Sequence, residues 1–180
     1  MRVALDISSV KLGWAIYEDG AQDPRWGILR LPKTIKGEEG RIGRKAEAMR
    51  QHLRDLHTIE PIRTIFYEAQ FIGGKIDRNV VERLCGMAGV VDWFAHMIGA
   101  DVWKVEISSW RKHFLLEKAR GVREDLKAAG VRAAHARGWM VSSDDEGDAL
   151  GVLDYGLHCL GIKPPWATRH LFGGRLEAAE

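Results

Sequence analysis

Val3-Ala4-Leu5-Asp6-Ile7-Ser8-Ser9 is the first strand-like run of the chain, and it encloses a single carboxylate. Apolar residues on both sides of Asp6 predict a β-strand from Arg2 to Ser8. A lone carboxylate buried in a sheet costs several kcal/mol unless it is paired or bound to a metal ion. The strand therefore predicts that the rest of the chain supplies partners for Asp6.

Two more strands follow within a few residues. Gly13 to Glu18 alternates large apolar residues with others, and Trp26 to Leu31 forms a third run. Asp19-Gly20, which lies between them, is typical of a hairpin turn. Because the connections are short, these strands are predicted to form an antiparallel meander.

The period of the apolar residues then changes to that of a helix. Arg41 to His57 has helical spacing and is followed by Pro61, which ends this region. Thr64 to Glu68 is a short apolar strand that closes on a carboxylate, as the first strand does. Val80 to Ile98 is a second helix whose apolar surface is wider than one core face. This width predicts a central helix or a dimer interface.

Strand and helix patterns alternate again in the carboxyl-terminal half. Asp101 to Ile107 is predicted as a fifth strand, followed by a basic loop from Arg111 to Arg123. Helical patterns cover Arg123 to Arg137 and Asp144 to Leu160, and Pro164-Pro165 stops the second of them. Strand–helix–strand connections of this length imply parallel pairing with helices on the sheet faces. The sequence thus predicts an α/β fold with a five-stranded mixed sheet, antiparallel over three strands and then parallel, flanked by helices.

Length and composition are those of one soluble domain. The 180 residues are 46% hydrophobic and 29% charged, and no apolar run reaches the roughly 20 residues of a membrane span. We expect one domain over residues 1–162 and a tail over residues 163–180. Met1 leads directly into a strand, so we expect no signal peptide and a cytoplasmic location. Cys85 and Cys159 lie far apart in apolar helical patterns and are predicted to be reduced core thiols.

Basic residues are clustered although the net charge is only +2. One cluster extends from Lys33 to Arg54, and a second occupies the predicted basic loop. Such clusters on a nearly neutral protein fit a surface that faces phosphate groups, although solvated helix faces produce the same pattern. The members of the second cluster are Arg111, Lys112, Lys118, Arg120 and Arg123.

Four acids, here named the acidic cluster, are the strongest functional signal: Asp6, Glu68, Asp145 and Asp148. The last two are three residues apart and share one helix face. Carboxylates that converge repel one another without a cation, and an all-oxygen ligand set suits Mg²⁺ or Mn²⁺. Two such ions about 4 Å apart hold an attacking water and a leaving oxygen during phosphodiester hydrolysis. Each acid also has a simpler interpretation, since two could be helix-capping acids and Glu68 a charge at a strand end.

The chain resembles the RuvC-type Holliday junction resolvases of the RNase H-like superfamily, as a phage or otherwise divergent member. The resemblance covers residues 2 to about 160 and departs from many relatives at Ile7-Ser8-Ser9, where they carry Pro-Gly after the aspartate. The matching motifs, in order, are Ala4-Leu5-Asp6-Ile7-Ser8-Ser9 with Gly13-Trp14-Ala15-Ile16, Phe66-Tyr67-Glu68-Ala69-Gln70-Phe71, and Asp145-Glu146-Gly147-Asp148-Ala149-Leu150.

This resemblance implies a homodimer that binds four-way DNA junctions and nicks two strands with Mg²⁺ or Mn²⁺, two ions per active site. The acidic cluster would provide the catalytic metal ligands. Phe71 matches the position of an aromatic residue that wedges into the junction, with a loop residue packed on the core as the alternative. The helix around residues 78–98 matches the dimer helix. The family's phosphate-binding residues lie in the region of the second basic cluster. A branch-migration helicase, or phage packaging or recombination proteins, are possible partners.

Three other functions are compatible with parts of the pattern. Another RNase H-like nuclease acting on RNA, flaps or branched DNA would share the acidic cluster without needing a dimer. An actin-like ATPase fragment would also open with an aspartate on its first strand, but those proteins need far more residues. A non-catalytic DNA-binding relative is disfavoured because all four acids are present. A Ser108, Ser109 and His113 hydrolase triad lacks a Gly-x-Ser-x-Gly motif.

Overall fold

Five strands form one sheet at the centre of the computed structural model, which describes residues 1–37, 42–69, 77–115 and 123–167. The sheet order is β3-β2-β1-β4-β5. The first three strands pair antiparallel, whereas β1 with β4 and β4 with β5 pair parallel. The predicted mixed sheet is therefore confirmed. The strands are β1 (Arg2–Ile7), β2 (Lys11–Tyr17), β3 (Arg25–Arg30), β4 (Thr64–Glu68) and β5 (Asp101–Val105).

Helices cover both faces of this sheet. Among the described residues, two amino-terminal helices pack on one face and three carboxyl-terminal helices pack on the other, and each face has its own apolar core. The helices are α1 (Gly43–Ile59), α2 (Arg78–Ile98), α3 (Ile107–Leu115), α4 (Arg123–Ala136) and α5 (Asp144–Cys159).

The alternation of side chains along β1 and β4 decides which helices meet the acids. Leu5 and Tyr67 belong to the core beneath α1 and α2, whereas Ala4 and Phe66 belong to the core beneath α5. Because successive strand residues point to opposite faces, Asp6 and Glu68 project toward α3, α4 and α5.

Close packing brings α5 directly onto the sheet. A Cβ atom at Gly13 of β2 would lie 2.3 Å from the backbone oxygen of Asp145. At the other end of α5, a Cβ atom at Gly156 would lie 2.6 Å from the ring of Phe66. These glycines let the helix and the strands approach more closely than any larger residue allows.

The third helix replaces the predicted end of the fifth strand and the first part of the predicted basic loop. The strand ends at Val105, and Ile107 begins α3 instead of closing β5. Trp110 and Phe114 are both buried, and their spacing of four residues places them on one helical face. The prediction of a loop here was wrong, because burial of the two aromatic rings stabilises a helix. The charged residues next to these rings concealed the apolar face of the helix in the sequence.

The prediction of buried cysteine thiols was also wrong, since Cys85 and Cys159 are both exposed. Cys85 lies on the side of α2 that faces away from the sheet.

Helix α2 buries one face only, and its Trp93 and Met97 side chains are 52% and 63% exposed. The helix is therefore not central within a single chain, and its apolar surface has an uncovered outer part.

The first residues of the predicted tail pack against the second core. Trp166 is 1% exposed, and its ring meets Tyr17 and Trp139 edge to face. Its Nε1–H donates a 2.8 Å hydrogen bond to Asp154. Residues 168–180 of the tail lie outside the described residues. None of the described helices has the length and apolarity needed to cross a membrane.

Candidate active site

Asp6 and Glu68 lie side by side at the carboxyl end of the two central strands. The parallel register pairs Leu5 with Tyr67, so the next residue of each strand reaches the same edge of the sheet. Glu68 Oε2 accepts a 2.8 Å hydrogen bond from Nε1–H of Trp110 on α3. The sheet alone therefore brings together two acids that are distant in sequence.

The other two acids of the cluster come from the first turns of α5 and are buried. Capping is performed by other residues, because Ser143 Oγ accepts from Glu146 N and the Glu146 side chain accepts from the backbone of Ser143. This capping box leaves Asp145 and Asp148 unused at the helix end. The interpretation of these two aspartates as helix caps is thus excluded.

The four acids lie close enough to influence one another electrostatically. The pKa of Asp6 is raised well above its ordinary value by burial and then by the charges of Glu68, Asp148 and Asp145. Burial and then Glu68 raise the pKa of Asp148 to about 7, with Arg111 acting in the opposite direction. Desolvation and like charges both disfavour ionisation. The site therefore carries more negative charge than its surroundings neutralise.

Three cations from separate elements reach the acids at α5. Lys11 of β2 forms an ion pair with Asp145, and Lys127 of α4 forms one with the neighbouring Asp144. Arg111 Nη2 lies 3.7 Å from Asp148 Oδ2. Among these cations, only Arg111 belongs to a basic cluster predicted from the sequence. Lys11 was detectable in principle, since its place just after the first hairpin turn puts it beside the end of β1.

The residues predicted to bind DNA are only partly within the described structure. Arg111 lies on α3 beside the acidic cluster, and the next residue, Lys112, is exposed on the same helix. Arg123 is the first residue of α4. The remaining predicted residues, Phe71, Lys118 and Arg120, lie outside the described residues.

The turn after β1 uses a serine where the related motif has proline and glycine. Ser8 Oγ donates a 2.7 Å hydrogen bond to Lys11 O and accepts one of 3.1 Å from Lys11 N. The ammonium group of Lys45, a buried residue of α1, donates to Ser9 O. The Ser8 hydroxyl group therefore stabilises the turn that follows Asp6. Lys45, which belongs to the helix layer on the other face of the sheet from α5, donates a hydrogen bond to the backbone of the same turn.

The donor chemistry and charge of the acidic cluster suit a hard divalent cation, because all four side chains offer carboxylate oxygens. Within the described ranges, no three His, Cys, Asp or Glu side chains surround a common point as metal ligands do. Two of the acids, Asp145 and Asp148, instead form ion pairs with Lys11 and Arg111. These ion pairs must therefore open for the cluster to take up an ion.

Comparison with known proteins identifies the fold. The sequence matches no family model and no curated protein. Thermus thermophilus RuvC in complex with a Holliday junction substrate has a TM-score of 0.62 at 12% identity, covering 89% of this chain and 96% of that one. Another Thermus thermophilus RuvC structure scores 0.58 at 17% identity, with coverage of 89% and 97%. The yeast mitochondrial Holliday junction resolvase scores 0.57 at 11% identity, with coverage of 96% and 82%. The chain therefore has the RNase H-like fold of the RuvC-type Holliday junction resolvases, as its motifs predicted.

Proposed function

We propose that this chain is a divalent-metal-dependent endonuclease that resolves four-way DNA junctions by hydrolysing one phosphodiester bond in each of two strands. The observation that carries the proposal is the acidic cluster. Its carboxylates lie near one another at the carboxyl end of the central strands, and burial followed by nearby like charge raises the pKa values of Asp6 and Asp148. A fold shared with junction resolvases supports the choice of substrate.

In this proposal the acidic cluster holds two Mg²⁺ or Mn²⁺ ions. The bound ions supply Lewis-acid activation of the attacking water and stabilise the leaving oxygen. Asp6 and Glu68 act from a rigid sheet, whereas Asp145 and Asp148 act from a helix whose amino terminus also favours negative charge. The protein thus presents its ligands from elements that are fixed by two independent cores.

Basic side chains near the acids are proposed to hold the DNA backbone. Lys112 is exposed one residue after Arg111, so α3 can present positive charge to a phosphate beside the acidic cluster. We also propose, from the sequence alone, four further DNA-binding residues: Phe71, Lys118, Arg120 and Arg123. Recognition through phosphate contacts makes binding strongly dependent on salt concentration.

A homodimer formed through α2 fits the paired cuts that junction resolution requires. Trp93 and Met97 are exposed and lie one turn apart on the outer face of this helix. An exposed apolar patch on this face of the helix supports a protein–protein contact there. A branch-migration helicase, or phage packaging or recombination proteins, are proposed as further partners.

Cleavage of synthetic DNA substrates tests the proposal. The parent protein should cut a four-way junction in the presence of Mg²⁺ or Mn²⁺ and leave linear duplex intact, and EDTA should abolish cutting. Asp6→Asn and Glu68→Gln should lose cutting while they still bind the junction. Asp101→Asn is a matched control, because this exposed aspartate lies at the opposite end of the sheet.

Two outcomes would contradict this assignment. Equal cutting by the parent protein and by Asp6→Asn would exclude the acidic cluster as the active site. Cutting of flaps or RNA–DNA hybrids with no cutting of four-way junctions would favour the other RNase H-like nucleases.

A further inference from the structure

Trp110 connects α3 to the acidic cluster through a single hydrogen bond. Its indole ring is 1% exposed, and Nε1–H donates to Glu68 Oε2 over 2.8 Å. Hydrogen bonds to an ionised carboxylate are shorter and stronger than those between neutral groups. One oxygen of Glu68 is thereby fixed in direction.

The space for this ring is provided by the helix that carries two of the acids. A Cβ atom at Gly151 of α5 would lie 2.6 Å from two atoms of the Trp110 ring and 3.0 Å from the ring of Phe114. Gly151 follows Asp148 by three residues, so both lie on neighbouring positions of one helix face. The glycine, the indole and Glu68 therefore form a continuous contact from α5 to β4.

Other tryptophans of the same core behave differently. Trp166 donates to Asp154, which lies farther along α5 than the acidic cluster and pairs with His113 and Arg137. Trp139 is equally buried, but its Nε1 has no hydrogen-bond partner among the described residues. An indole can therefore be buried in this core without an acid of the cluster as its hydrogen-bond partner.

We propose that Trp110 is a positioning residue that holds the Glu68 carboxylate in the orientation needed for metal binding, and that Gly151 admits its ring. This inference rests on the proposed function, in which Glu68 is a metal ligand. Groups that orient metal ligands through hydrogen bonds influence metal affinity by about 10-fold to 100-fold. Trp110 thus sets how tightly the site binds its ion without touching the ion.

Direct Mn²⁺ binding to the DNA-free protein, followed by electron paramagnetic resonance of the free ion, tests this role. Trp110→Phe keeps a buried aromatic ring but removes the Nε1–H donor together with part of the indole, and it should weaken Mn²⁺ binding by about 10-fold. Phe114→Leu is the matched control, because it removes a buried ring from the same helix without touching an acid. It should bind Mn²⁺ as the parent protein does, even if its melting temperature falls equally.

The outcome of this titration distinguishes the positioning role of Trp110 from the proposed function. Unchanged affinity in Trp110→Phe, with a parent protein that binds Mn²⁺, would overturn the positioning role and leave the proposed function intact. A parent protein that binds no Mn²⁺ would overturn the proposed function, and the inference with it.

A second measurement does not depend on the folding of Trp110→Phe. Seven tryptophans give the parent protein seven indole N–H signals in a nitrogen-15 NMR spectrum. Glu68→Gln and Mg²⁺ addition should each shift the signal of Trp110 while that of Trp139 stays in place. If no indole signal responds to Glu68→Gln, the hydrogen bond does not exist in solution and the inference is wrong.

Discussion

Lys11 at the start of β2 forms an ion pair with Asp145 at the start of α5, which joins the first hairpin to the last helix. The lysine is 39% exposed at its side chain and the aspartate 10%. The hydrogen bond to Asp145 raises the pKa of Lys11, against the opposing effect of burial. The lysine thus supplies, in the metal-free protein, part of the positive charge that a cation would bring to the acidic cluster.

Lys11→Met should make the protein depend more strongly on added metal. Loss of the ion pair should lower the unfolding free energy in EDTA by at most about 1 kcal/mol, because the lysine is more than one-third exposed and screened by solvent. Saturating Mg²⁺ should raise the melting temperature of the variant more than that of the parent. An equal rise in both proteins would show that Lys11 and the ion do not compete for Asp145.

The raised pKa of Asp148 predicts that the unfolding free energy of the metal-free protein falls as pH rises. Its pKa is raised from 3.8 to about 7 in the folded state, so the folded protein binds more protons than the unfolded chain between these values. The contribution of Asp148 to the unfolding free energy is therefore fully present below pH 3.8 and is lost as the pH rises toward about 7.

Asp148→Asn should remove this loss and increase the unfolding free energy in EDTA by about 1–3 kcal/mol near pH 8. The gain should shrink toward pH 4, because the parent carboxyl is then protonated. Urea unfolding at the two pH values measures the difference. A variant that is less stable than the parent at both values would show that the charge of Asp148 stabilises the fold.

Glu146 should be dispensable for cleavage although it lies between two proposed metal ligands. Its Oε2 accepts hydrogen bonds of 2.6 Å from Ser142 N and 3.2 Å from Ser143 N, and the second of these belongs to the capping box. Glu146→Gln should therefore keep junction cutting within a few-fold of the parent and lower stability by about 1 kcal/mol. Asp145→Asn, one residue away, should abolish cutting. Loss of cutting by Glu146→Gln in a stably folded protein would add this residue to the active site.

Trp93→Asp should convert the proposed dimer to a monomer. Burial of this exposed side chain against a second copy contributes apolar contact that a charged residue cannot replace. Light scattering after size-exclusion chromatography should give half the parent mass. Trp103→Asp is the control, since Trp103 is exposed on β5 rather than on α2 and should leave the dimer intact. A dimer that survives Trp93→Asp would place the interface elsewhere.

Local pattern was sufficient for the strands and for most helices. Alternation along β1 and β2 and the helical period of α1, α2 and α5 are short-range properties, so they are visible in the sequence without any knowledge of contacts. Asp6 stood out because a carboxylate inside an apolar strand has a large desolvation cost. The parallel register that brings Glu68 beside it followed from the strand–helix–strand connection.

Tertiary packing decided what no local pattern encodes. The helix α3 forms because Trp110 and Phe114 find a core against α5, and its residues then reach Glu68 and Asp148. Lys11 meets Asp145 only because Gly13 lets α5 approach β2. The sequence by itself determined which residues carry charge and which elements hold them. The three-dimensional structure determined which charges meet, because such contacts depend on the close approach of elements that are remote along the chain.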